Sequence, residues 1–79
     1  MITTILLQAL FNNAANPLAE TVLLTETRLM ASKRVGEREF AAALQRIRSG
    51  GFASVSEDPL TGDSLWKITP KGINRVEGK

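Results

Sequence analysis

At Gly50-Gly51 the hydrophobic pattern of this chain changes period, and that change limits the fold more than any other feature. Before it, Phe40, Ala43, Leu44 and Ile47 recur at the spacing of one helical face. After it, Ser64-Leu65-Trp66-Lys67-Ile68-Thr69 alternates, with Trp66 and Ile68 on one side, as a strand does. Phe52-Ala53-Ser54-Val55-Ser56-Glu57 alternates in part. Between the two runs lies Asp58-Pro59-Leu60-Thr61-Gly62-Asp63, dense in turn residues. A helix that stops at a glycine pair and gives way to a hairpin is therefore expected.

The helix before the break has good start signals. Gly36 stands at the cap, Glu39 falls three residues on, and Val35 and Phe40 occupy the two positions of a hydrophobic staple. Glu37 and Glu39 complement the positive end of the helix dipole. The expected span is 37–49.

Upstream, Ile2, Ile5, Leu6, Ala9 and Leu10 form one stripe of a helix over 2–12. No basic residue precedes this stretch and no small-residue cleavage site follows its apolar part, so it reads as a folded helix rather than a signal peptide. Asn16-Pro17 resembles a cap followed by a first helical position, giving a second helix over about 17–32. Leu18, Val22 and Leu29 share a face of it, with Leu23 and Leu24 off that face. Thr69-Pro70 repeats the start signal, and a short last helix would turn Ile73 and Val76 inward.

With 79 residues, 43% of them apolar and 23% charged, the chain suits one small globular domain, 1–79. The order is three helices, a two-stranded hairpin and a short helix, a mainly α fold with a small β-hairpin (α+β).

The composition also excludes chemistry. There is no cysteine and no histidine. Disulfides, zinc-thiolate sites, thiol catalysis and the commonest general base go with them. No glycine-rich phosphate loop occurs, and Glu57, Asp58 and Asp63 lack calcium-loop spacing. The expectation is a protein that is not an enzyme and takes no cofactor or metal. No run approaches the roughly 20 apolar residues of a membrane span. A soluble, cytoplasmic protein with no membrane partner is expected.

Charge is unevenly placed around a net +2. Residues 28–48 carry Arg28, Lys33, Arg34, Arg38, Arg46 and Arg48 against Glu37 and Glu39. Residues 49–63 hold only acids, and 64–79 are basic again.

The stretch 37–73 resembles a known type. Glu37-Arg38-Glu39-Phe40, Ala43-Leu44-Gln45-Arg46-Ile47, Gly50-Gly51-Phe52, the Asp58–Asp63 turn and Trp66-Lys67-Ile68-Thr69-Pro70-Lys71-Gly72 are similar to the recognition helix, wing and post-wing turn of small bacterial regulators of the MarR and PadR types. The resemblance implies a winged helix-turn-helix fold, with the recognition helix at 37–49 and the wing at about 52–69. It implies double-stranded DNA as partner and transcription regulation as function. This chain departs from those regulators in two respects. It has no room for their long extra helices, and its wing tip is acidic where many are basic.

On a helix over 37–49 with Phe40, Leu44 and Ile47 inward, the outward centre is Arg38, Ala42, Gln45 and Ser49, flanked by Arg46 on one side and by Ala41 and Arg48 on the other. Arg and Gln can read base edges, and small residues allow close approach. This set (Arg38, Ala42, Gln45, Arg46, Ser49) is the candidate base-contacting surface; the plainer alternative is a solvated helix face. Arg28, Lys33, Arg34, Arg48 and Lys67 are candidate phosphate contacts, or ordinary surface cations. Lys71 and Arg75 fit the wet face of the last helix. Trp66, alternating with Ile68 and facing Val55, reads as core. Leu7 and Phe11, like Leu23 and Leu24, are apolar beyond what one face can bury. Either a second copy packs on Leu7 and Phe11, giving a homodimer, or the rest of the chain covers them. A winged-helix module that binds another protein and no DNA is the competing reading.

Overall fold

In the computed structural model, which describes residues 2–32 and 34–78, the chain folds as α1 (Ile2–Asn12), β1 (Leu18–Ala19), α2 (Glu20–Ala31), α3 (Glu37–Ser49), β2 (Ala53–Glu57), β3 (Ser64–Ile68) and α4 (Pro70–Glu77). The three strands form one antiparallel sheet in the order β1-β3-β2. This is the winged helix-turn-helix architecture, with β2 and β3 as the wing.

α1 is the central element. Leu6, Ala9 and Leu10 are fully enclosed, and the helix packs on α2, α3, α4 and β3 together. The expected spans of α1 and α3 match, as does the Thr69-Pro70 start of α4: the apolar stripe alone marks α1, whereas at α3 and α4 the start signal and the stripe agree. Val35 and Phe40 are both buried at the start of α3, as a staple requires. Glu39 makes no hydrogen bond to the Gly36 backbone among the described residues, so its contribution there is its charge near the helix end.

The region after α1 differs from expectation. Pro17 does not open a helix. Leu18 and Ala19 instead pair with Trp66 and Leu65 of β3, adding a third strand, and α2 starts at Glu20. Strand pairing with a distant segment outweighs the local cap signal. Within α2 the buried side chains are Leu23 and Thr27, whereas Val22 and Leu29 are exposed, Leu29 by 71%. The inward face is thus the other arc of a helix that is apolar over a wide angle.

The segment Thr69-Pro70-Lys71-Gly72 works as a clamp. Thr69 Oγ1 donates to the Gly51 carbonyl (2.6 Å) and accepts from the Gly72 N–H (3.2 Å), capping α4. Lys71 Nζ donates to the Gly50 carbonyl (2.7 Å) and lies 5.0 Å from the centre of the Phe52 ring. Gly72 sits against the Phe52 carbonyl and the Ile68 side chain, where any Cβ would clash. The start of α4 is therefore tied to the end of α3, and the wing strands leave and return at a fixed angle.

Candidate nucleic-acid interface

The helix-turn-helix unit is α2, α3 and the connection between them. α2 ends with Ser32 in the left-handed conformation (φ 54°), and Val35 is fully buried two residues before the first turn of α3. Arg28 reaches across this connection. Its Nε and Nη2 both donate to the Val35 carbonyl, at 3.1 and 3.0 Å. The guanidinium is half-buried and fixes how α3 leaves α2. The sequence places Arg28 among the phosphate contacts; the structure gives it this internal task instead. Lys33, expected beside it, lies outside the described residues.

α3 presents one face to the core and the rest to solvent. Phe40, Ala43, Leu44 and Ile47 are buried. Arg38, Ala42, Gln45 and Arg46 are exposed, as are Arg34, Arg48 and Lys67, and Ser49 at the end of the helix is exposed too. None of the arginines among these, nor Lys67 or Gln45, has a hydrogen-bond or ion-pair partner among the described residues. Their donors are available to an external acceptor.

The candidate residues fall on two sides of α3. Ala41, Gln45 and Arg48 line a groove of about 660 Å³ between α3, the start of α2 and the sheet. Arg38, Ala42, Arg46 and Ser49 do not line it. Lys67 stands opposite Ser54 on the wing, on the strand face away from Trp66 and Ile68. Trp66 is core, as its alternation predicts. Its Nε1 donates to Glu20 Oε1 at 3.1 Å, joining β3 to the first turn of α2.

The wing tip is tightly tied. Asp58 N–H donates to the Asp63 carbonyl (2.8 Å), Gly62 N–H to the Asp58 carbonyl (2.7 Å), and Leu60 N–H to Asp58 Oδ1 (2.9 Å). This loop holds Leu60 outward, 93% exposed, among carboxylates. Such a tip is unsuited to phosphate.

Of the two expected dimer contacts, Leu7 needs correction. Leu7 is 5% exposed within the single chain, where it meets α4 near Arg75 and Val76, and Phe11 is half-buried against the core. The chain itself covers Leu7, which has almost no surface left for another copy.

No family model and no curated protein matches the chain. A solved structure does. SSV1 F-93 is similar to it with a TM-score of 0.80 at 19% identity, over 98% of this chain and 79% of that one. At that identity the likeness concerns the fold. It extends over the whole arrangement of helices and sheet, wing included. Among the described residues, no helix is long and apolar enough to cross a membrane.

Proposed function

We propose that this chain is a double-stranded DNA-binding protein, a small transcription regulator that inserts α3 into the major groove and catalyses no reaction. The observation that carries the reading is the free outer surface of α3. Arg38, Gln45 and Arg46 stand exposed with unengaged donors, interleaved with Ala42 and Ser49, on the helix that follows the turn of a helix-turn-helix. Long donors beside small residues suit base edges. Arg34 at the turn, Arg48 on the flank of α3 and Lys67 on the wing supply phosphate contacts around it. Such a regulator works in the cytoplasm, beside the genome.

The wing plays a different part in this proposal from that in many winged helices. Its base carries Lys67, but its tip carries Glu57, Asp58 and Asp63, so only the base approaches the duplex.

Backbone amide chemical-shift mapping with a random-sequence duplex tests the reading. Shifts concentrated on Arg38, Ala42, Gln45, Arg46 and Ser49 support it. Shifts confined to other surfaces, or none at low salt, remove its basis.

The second reading, a protein-binding module, is favoured by Leu60 on its rigid acidic tip and by Val22 and Leu29 exposed along α2. It places the contact on faces away from α3.

A further inference from the structure

α3 ends on two adjacent glycines, the most freely rotating joint a chain can carry. Gly50 N–H donates to the Arg46 carbonyl (3.0 Å) and Gly51 N–H to the Arg48 carbonyl (3.1 Å), which closes the last turn. The carbonyls of the pair lie past the helix, where its own N–H groups cannot reach them. A side chain from the start of α4 takes each one: Thr69 Oγ1 bonds the Gly51 carbonyl and Lys71 Nζ the Gly50 carbonyl. The joint cannot be stiffened from within. A Cβ at Gly50 would stand 2.6 Å from the Phe52 ring, and Gly51 has a φ of 78°. Its stiffness therefore comes from outside. The Lys71 ammonium has three attractions at this one place: the Gly50 carbonyl, the Phe52 ring and the negative end of the α3 dipole. The turn so held carries Arg46, Arg48 and Ser49, and Lys71 follows the wing cation Lys67 by four residues.

We propose that Lys71 is a positioning residue for duplex binding, which fixes the last turn of α3, with Arg48 and Ser49, relative to Lys67 and does not itself touch phosphate. To reach a phosphate, the ammonium would have to leave the Gly50 carbonyl and free the glycine joint. Lys67 and Lys71, close in sequence and both exposed, thus have different tasks. The holding role stands on the bonds within the chain. Its consequence for affinity rests on the DNA reading above.

The test compares Lys71→Met, which keeps the stem but loses the donors and the charge, with Lys71→Arg, which keeps both. Without DNA, amide hydrogen exchange is followed at Gly50 and Gly51, with the enclosed Leu10 as reference. In Lys71→Met, exchange at the two glycines should quicken at least tenfold relative to Leu10, and Lys71→Arg should return most of the protection. A random-sequence duplex is then titrated below the thermal midpoint of each protein. Lys71→Met should bind at least threefold more weakly with the salt slope of the wild type, and Lys71→Arg within about twofold of the wild type. Unchanged protection of the glycines in Lys71→Met overturns the holding role. Wild-type affinity in that variant overturns the positioning role. A slope shallower by about one unit overturns it too, and makes Lys71 a phosphate contact. If Lys71→Met fails to fold, the unaltered protein decides: Lys71 Hε resonances shifted upfield by the Phe52 ring support the inference, and those of a free lysine overturn it. A wild type that binds no duplex overturns the DNA reading and the consequence for affinity with it. The exchange data still decide the holding role, so the two failures are separable.

Discussion

The guanidinium of Arg28 grips the carbonyl of Val35, seven residues further on, with two hydrogen bonds. That carbonyl belongs to a fully buried residue in the turn that aims α3. Without Arg28 it would lose a charge-assisted pair of donors. Arg28→Ala should cost about 2 kcal/mol, measured by urea unfolding. On the folded variant, the salt dependence of any duplex binding should keep its slope. A slope shallower by about one unit would return Arg28 to the phosphate contacts.

Two glycines separate close packing from open space. At Gly72 a Cβ would stand 2.6 Å from Ile68 Cγ1 and closer still to the Phe52 carbonyl, which is rigid backbone. Gly72→Ala should destabilise by about 3 kcal/mol. At Gly36 nothing lies within 4 Å, and the backbone is extended (φ −71°). Gly36→Ser should gain a few tenths of a kcal/mol as a better helix cap. Thermal unfolding of both variants checks the contrast in sign.

Ser32 closes α2 at φ 54°, in the left-handed region that disfavours side chains. Ser32→Gly should stabilise by about 1 kcal/mol. Thr69→Val should act oppositely. It removes both the bond to Gly51 and the cap on Gly72, and a loss of about 1–2 kcal/mol is expected. Chemical denaturation of the two variants measures both terms.

The parts legible in the sequence are those whose local signals and packing agree. Val35, Gly36 and Phe40 announce the start of α3, Gly50-Gly51 its end, and the Trp66/Ile68 alternation the inner wing strand. β1 leaves no such trace. Leu18-Ala19 is too short for a pattern, and its pairing depends on Trp66 far along the chain. The inward arc of α2 is ambiguous because Leu18, Val22 and Leu29 compete with Leu23 and Leu24 as an apolar face. The task of Arg28 is hidden for a related reason: a side chain bonded to a distant backbone carbonyl has no sequence motif. The outward face of α3 needs only helical geometry, and every residue placed there is exposed.

Leu7 distinguishes a monomer core from a subunit interface. It is 5% exposed within one chain, so Leu7→Ala should cost about 2–5 kcal/mol by leaving a cavity. The loss should be the same at every protein concentration. A loss that grows on dilution would place Leu7 between two copies instead.

The central claim is that α3 enters duplex DNA, and a salt titration tests it most directly. Binding of a random-sequence duplex is followed from about 50 to 200 mM salt. The wild type is compared with Arg38→Ala/Arg46→Ala, both exposed positions without internal partners among the described residues. The account predicts that log K falls linearly with log salt for the wild type. It predicts binding at least tenfold weaker, with a shallower slope, for a double variant of unchanged stability. A wild type that does not bind at the lowest salt, or a double variant that binds equally well, would contradict it.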